Sequence, residues 1–288
     1  MNKVIDIPFN KVHNEQIEFH IIDMKILCET KIEHDLEYPH RLKFNSIMIV
    51  IDGVGIHNID FTSYNYTKGT VFFVKKGQVN AFTLNPNFRC YFLQFSDDFL
   101  NRLVQNGIYE IFDYMRYSVK MQLDTKTYED ILLNISLLNN QLQIPIDHFK
   151  EPILQSLFNS LLLQLKRKRE ELSVGLKDND QKTYLSFLKL VHSSHTYAIK
   201  VENYAKKLQI SSKTLSNLLH KFTGKSTKAY LNEFLLLEIK RYLLNEYLTI
   251  QQISDKLEFD EATNLVKFFK NIEKKTPTEF KKSYIIIK

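Results

Sequence analysis

The 288-residue chain has only two cysteines, Cys28 and Cys90, and no Cys-x-x-Cys pair. That excludes a disulfide framework and reads as two reduced thiols in a cytoplasmic protein. Long apolar runs are also missing. The longest is Ile47–Ile51, far short of the ~20 residues a membrane helix needs, so no membrane contact is expected. The N-terminal stretch carries Asp6 and Pro8 and has no apolar signal core, which argues against secretion. Among nine histidines there is no His-x-His pair, and there is no Gly-x-Ser-x-Gly, phosphate-binding loop or dinucleotide fingerprint. Hence no metal, no cofactor and no catalytic residue is expected, and the chain is not read as an enzyme. Hydrophobic residues make up 44% and charged residues 25%, which excludes a disordered or low-complexity chain.

What is present is unevenly charged. The net charge is +6, but from Lys177 onward there are 20 Lys and Arg against 12 Asp and Glu, leaving 19 basic and 21 acidic residues before it. A near-neutral front and a basic back point to a polyanion met by the second part. A lysine-rich solvated surface is the alternative.

Residues 1–97 read as β-rich. Short apolar runs at 47–51, 57–61, 71–74, 81–84 and 91–95 recur about every ten residues with Gly, Asn or Pro between them, as in a sandwich or small barrel. From Asp98 the period becomes helical, over 98–112, 125–142 and 149–171. In the last, Ile153, Leu154, Leu157, Phe158, Leu161, Leu162 and Leu165 form one stripe, which serves as core or as a dimer seam. Residues 172–182 contain Gly175 and a polar run and are the expected linker. Beyond them only Gly224 and Pro277 interrupt a helical pattern.

Two helix-turn-helix units are expected after the linker, at 201–222 and 250–272. Val201, Tyr204, Ala205 and Leu208 give a short helix its apolar face, Ser211 or Ser212 caps the next, and Leu215, Leu218 and Leu219 line its inner side. The pattern returns as Ile250, Ile253, Ser254 and Leu257, then Phe259, Asp260 as the cap, and Leu265, Phe268 and Phe269, with one extra residue in the turn. Tyr230–Leu244 reads as one helix joining the units.

Residues 184–284 resemble the AraC/XylS-type transcription regulators, on the frame Tyr204-Ala205 to Leu208, Ser211, Leu215, Lys221-Phe222, Gly224-Lys225-Ser226, Tyr230-Leu231-Asn232, Phe259-Asp260, Phe269-Lys270, Thr276-Pro277 and Phe280. Four positions depart from the pattern. Glu258 and Lys274 stand where the family has glycine, Phe234 where an Arg is common, and Leu265 where an aromatic is usual. The front part is more weakly similar to the family's cupin-like effector and dimerisation domain, through Gly53-Val54-Gly55-Ile56-His57, Gly77-Gln78-Val79 and Leu93 to Phe99.

The resemblance implies an α+β chain. Residues 1–171 would form a cupin-like β-barrel with helices that binds an effector and dimerises. Residues 172–182 would be the linker, and 183–288 an all-α DNA-binding domain of two helix-turn-helix units. It implies base contacts from Lys213, Ser216 and Asn217 and from Thr263, Val266 and Lys267, and phosphate contacts from Lys221, Lys225 and Lys270. Implied partners are double-stranded DNA, a second copy of the chain, a small-molecule effector and RNA polymerase. His40 and Arg41 are candidates for the effector pocket, against a half-exposed polar pair as the plainer reading. Two other functions compete: a small-molecule sensor with degenerate DNA readout, and a cupin-type enzyme.

Overall fold

A computed structural model describes residues 4–9, 17–23, 37–83, 87–103, 119–172, 178–193, 200–244 and 248–285. Cys28, the stretch 104–112 expected to be helical, Leu84, the linker residues 173–177, and His13, His34 and His195 lie outside the described residues. Two compact units are present, one spanning Ile5–Val174 and the other built on Gly175–Lys288.

The front unit contains β1 (Ile5–Ile7), β2 (Phe19–Asp23), β3 (His40–Leu42), β4 (Asn45–Asp52), β5 (Gly55–Ile59), β6 (Thr62–Tyr66), β7 (Thr70–Val74), β8 (Val79–Thr83), β9 (Arg89–Phe95), α1 (Asp97–Arg102), β10 (Lys120–Gln122), α2 (Thr125–Gln143) and α3 (Lys150–Leu172). The strands form two five-stranded sheets, ordered β1-β3-β8-β5-β6 and β10-β7-β4-β9-β2. Of the sandwich or small barrel expected, the described residues form the sandwich, and the two sheets do not close into the implied cupin-like barrel. Strands of three to five residues end each sheet, and no ladder among the described residues joins one sheet to the other.

Between the sheets lies an aromatic-rich core that includes Met48, Val50, Phe72, Phe82, Phe88 and Phe92. A second core lies between the other face of the β4 sheet and helices α1–α3, and includes Ile47, Ile49, Phe73 and Leu93. Strand β4 supplies both, because successive side chains of a strand point to opposite faces. Its uninterrupted apolar reading follows from having no solvent side. Asp52-Gly53 turns the chain as expected, with the Gly53 amide donating to Asp52 Oδ1 at 2.8 Å. Gly53 has a φ of +95°, and a Cβ there would sit 3.1 Å from Phe88 Cα. The run 57–61 is not one strand: Asp60 and Phe61, with φ of 46° and 70°, form the tight turn between β5 and β6.

The α3 stripe is core. Leu154, Phe158, Leu161, Leu162 and Leu165 are fully buried against α2 and the sheet, so they are not available as a dimer seam. Only Ile153 at its edge is exposed. The basic end of α3 is held by a specific contact, Lys168 Nζ reaching the α2 N-cap Asp124 at 2.5 Å.

The second unit contains α4 (Asp178–Ser193), α5 (Val201–Lys207), α6 (Ser212–Thr223), α7 (Thr227–Leu243), α8 (Ile250–Lys256), α9 (Ala262–Glu273) and α10 (Pro277–Ile285). Residues 178–182, assigned to the linker, are instead the first turn of α4. Acidic side chains, which suggest a loop by composition, are also favoured at a helix N-terminus. Phe187 on α4 packs near Tyr204 and Tyr230, at 5.5 and 5.8 Å, and Tyr184 stacks on Phe222 at 4.3 Å. Helix α7 is continuous, ~25 Å long. Its Lys240 pairs with Glu273 at 2.6 Å and lies over the Phe280 ring, fastening α9 and α10.

Candidate nucleic-acid interface

Helix α5 is stopped by a tight turn in which Gln209 adopts a φ of 57° and the Ile210 amide donates to the Ala205 carbonyl at 3.0 Å. Ser211 then caps α6, its Oγ accepting from the Thr214 amide at 3.0 Å. Leu215 and Leu219 are fully buried, so the opposite side of α6 faces solvent. Gly224, with φ 70°, closes the helix by donating its amide to the His220 carbonyl.

The second unit repeats the backbone bonds of the turn and of the helix end, but not the side-chain cap. Glu258 has a φ of 54°, the Phe259 amide donates to Ser254 at 3.0 Å, and Lys274 closes α9 at φ 59° by donating to Lys270. The two positions that depart from family glycine are thus both left-handed. Before the turn the repeat is offset by 49 residues and after it by 50, so the extra turn residue is real. It also moves the cap. The N-cap of α9 is Glu261 rather than Asp260, and its side chain makes no capping bond. Glu261 accepts instead from Thr263 Oγ1 at 2.8 Å.

Of the expected base-reading residues, Lys213 and Asn217 are exposed on α6, and Thr263 and Lys267 on α9. Ser216 is half-buried, its Oγ 3.3 Å from Thr227 Oγ1 at the start of α7, and Val266 is half-buried as well. The expected phosphate ligands differ from one another. Lys221 Nζ lies 2.8 Å from Asp180 Oδ2 and Lys225 Nζ 2.5 Å from Glu233 Oε2, whereas Lys270 is exposed on α9. Asp180 and Glu233 went unnoticed in the sequence, Asp180 because it sat in the expected linker. At α10, the amide and hydroxyl of Thr276 donate to Glu279, and with Lys270 and Lys275 nearby they hold its carboxyl below the usual range.

In the front unit His40 and Arg41 make separate contacts. Adjacent on β3, they point to opposite faces. His40 turns to the inter-sheet core, its ring 6.1 Å from that of Phe82, while Arg41 NH1 lies 3.5 Å from Asp6 on β1. The residue that sequence reading passed over is His57. It is fully buried, stacked on Phe82 at 4.0 Å, with Nε2 3.2 Å from Asn80 Oδ1. Asn80 donates its own amide to the Gln78 carbonyl, so Oδ1 accepts and His57 Nε2 carries the proton. Nδ1 is then a bare acceptor with no hydrogen-bond partner. Burial pushes His57 down to about 3, against the opposing effect of its hydrogen bond to Asn80. The alternation of Gly55-Ile56-His57-Asn58-Ile59 could have placed His57 on the inner face with Ile59. The described residues hold no group of three potential metal ligands, and no described helix is long and apolar enough to cross a membrane.

The front unit is thus a β-sandwich, and the second carries a duplicated helix-turn-helix. Residues 204–283 match the helix-turn-helix domain family, and residues 25–111 match the AraC-like ligand binding domain family. Both matches agree with the AraC/XylS-type resemblance of the sequence. It is 30% identical over 106 residues to the Msm operon regulatory protein of Streptococcus mutans, a match covering 36% of this chain and 38% of that one. Among solved structures it is similar to the C-terminal domain of the response regulator yesN from Fusobacterium nucleatum (22% identity, 33% of this chain and 93% of that one, TM-score 0.31). It is also similar to ToxT of Vibrio cholerae with an unsaturated fatty acid bound (14% identity, 94% and 97%, TM-score 0.45).

Proposed function

We propose that the chain is a cytoplasmic, non-enzymatic transcription regulator that binds double-stranded DNA through α6 and α9, as a dimer paired through its front unit. The observation that carries this reading is the duplicated turn, bond for bond, with a polar outer face on each second helix. A recognition helix needs a rigid angle to its neighbour, a buried inner face and exposed polar groups outside. Both units supply all three.

Lys213 and Asn217 are the strongest base-reading candidates, since lysine donates to guanine and asparagine pairs with adenine. Thr263 and Lys267 follow, while Ser216 and Val266 are less accessible. Lys270 supplies a phosphate contact directly, and Lys221 and Lys225 do so by exchanging a carboxylate for a phosphate. The sandwich takes the effector, with His40 and the bare Nδ1 of His57 on its inner face. RNA polymerase is the partner through which DNA binding would be read out.

Selection of bound fragments from the host's genomic DNA, followed by binding at two salt concentrations, tests the reading. Expected is a recovered sequence bound at least a thousandfold more tightly than random duplex. Equal affinity for both would favour the sensor with degenerate readout. A fragment starting at Asp178 should fold and bind alone. Starting at 183 would remove the first turn of α4 and with it Asp180.

A further inference from the structure

Strand β6 ends its sheet with an unprotected edge. An edge strand offers a row of unpaired amides and carbonyls, which proteins blunt by shortness, charge, proline, a bulge or cover. The other end strands are blunted in these ways. β1 and β10 are three residues long and carry Asp6 and Lys120. In β2 no residue is exposed, and Asp23 pairs with Arg89 at 3.5 Å. β6, Thr62-Ser63-Tyr64-Asn65-Tyr66, has five residues, no charge and no proline, and its register to β5 is unbroken. Thr62, Ser63 and Asn65 are exposed. From Gly53 to Thr67 the only Asp, Glu, Lys or Arg is Asp60, which is buried and accepts from Gln78 and the Val79 amide.

The hairpin fixes which backbone groups of β6 point outward. Its two turn residues, Asp60 and Phe61, both have positive φ, as in a type I′ turn, so Ile59 and Thr62 exchange the first ladder bonds. Bonded and non-bonded pairs alternate along an antiparallel ladder. Tyr64 and Tyr66 therefore bond to β5, and the amides and carbonyls of Ser63 and Asn65 face away from it. The Asp60 amide, which donates to the Val79 carbonyl at 2.9 Å, fits the same alternation. Among the described residues nothing bonds to the outward groups of Ser63 and Asn65. Tyr64 and Tyr66 pack on the inter-sheet core, while Ser63 lies on the other face, its Oγ donating to Asn58 Oδ1 at 2.6 Å.

We infer that two copies of the chain pair edge to edge through β6, antiparallel and centred on Tyr64, joining their outer sheets into one. A single register uses all four outward groups at once. It sets Ser63 opposite Asn65 of the second copy, twice, with Tyr64 opposite Tyr64 between them. The same register sets Thr62 against Tyr66. Aromatic–aromatic and aromatic–β-branched pairs are among those that stabilise a ladder, and no like charges meet. The edge is thus complementary to itself in hydrogen bonds, side chains and charge, which makes a second copy the occupant. A five-residue edge buries less than the ~800 Å² per partner of a stable interface, so the pairing is weak and depends on concentration. It goes beyond the function proposed above and needs neither DNA nor a contact through any other face.

The test follows association of the full chain without DNA by sedimentation equilibrium, from micromolar to near-millimolar concentration. Ser63→Lys with Asn65→Lys sets like charges opposite each other at two pairs and should weaken the association about tenfold or more. Ser63→Lys with Asn65→Glu sets opposite charges together in the same register and should match or exceed wild type. Both positions are exposed, so circular dichroism and melting temperature should stay near wild type in each variant. Val54→Lys, exposed at the β4–β5 turn and off the edge, should leave the association unchanged. A wild type whose mass does not rise with concentration overturns the inference, and leaves the edge open to a different extended peptide. So does a first double variant that associates like wild type. A second double variant as weak as the first overturns the antiparallel register. Because no DNA enters the measurement, a chain that associates but binds no DNA would count against the function proposed above and leave this edge standing.

Discussion

Lys221 of α6 and Asp180 of α4 form an ion pair of 2.8 Å between Nζ and Oδ2, both side chains more than a third exposed. Such a pair adds little stability, but it brings no net charge to DNA. Asp180→Asn should therefore tighten binding to a random-sequence duplex several-fold and steepen its salt dependence by up to one unit of log–log slope, with melting temperature nearly unchanged. Titrations of both proteins at three salt concentrations measure this, and identical slopes would refute it.

The two recognition helices should divide the work. Asn217→Ala is expected to cost roughly 1–3 kcal/mol on the selected site and little on random duplex. Lys270→Ala should weaken both by a similar factor and lower the salt slope by about one. Competition binding separates the two. An unchanged ratio of specific to random affinity for Asn217→Ala removes that residue from base readout.

Glu258 and Lys274 hold left-handed backbone without being glycine, a conformation costing roughly 1 kcal/mol for a side-chain-bearing residue. Glu258→Gly and Lys274→Gly should each stabilise the second unit by about 0.5–1 kcal/mol. Gly224→Ala should destabilise it by a similar amount, and from strain alone, because a Cβ there meets nothing within 4 Å. Urea unfolding of the Asp178–Lys288 fragment gives all three values.

Ser254 occupies the place that Ala205 fills in the first unit, and its buried hydroxyl has no hydrogen-bond partner. Removing an unsatisfied buried polar group recovers its desolvation cost. Ser254→Ala should raise stability by about 1 kcal/mol, and a loss of stability in the same urea experiment would show that the hydroxyl is satisfied.

His57 makes the front unit acid-sensitive. Its folded value of about 3 lies below the ordinary 6.5, so below pH 6.5 the unfolded chain binds a proton that the folded chain refuses. The contribution is intact above pH 6.5 and is lost as pH falls toward 3, at roughly 1.4 kcal/mol per pH unit. His57→Phe should flatten the fall in melting temperature between pH 6.5 and 4.5 relative to wild type. Parallel curves would mean that other groups dominate.

The duplicated turn was readable because Tyr204, Ala205, Leu208 and Leu215 recur as Ile253, Ser254, Leu257 and Leu265 at nearly constant offset, and local bonds fix such a turn. The α3 stripe was readable as a helix, but whether Leu161 faced core or partner depended on which neighbours arrived. Closure of the sheets was not readable either, since β1, β3 and β10 are three residues long and too short to show a period. Asp178 to Gln181 looked like linker because composition alone cannot tell a loop from an acidic helix start. His57 was legible only in part: the alternation along β5 puts it on the inner face with Ile59, but its unpartnered Nδ1 shows only once its neighbours are known.

Strand β4 is a wall shared by two rooms. Met48 and Val50 help fill the space between the sheets, Ile47 and Ile49 the space under α2 and α3, and no residue from Asn45 to Val50 reaches solvent. Close-packed interiors transmit displacement rather than absorb it. A molecule that wedges the sheets apart and displaces this strand would press it toward the helices.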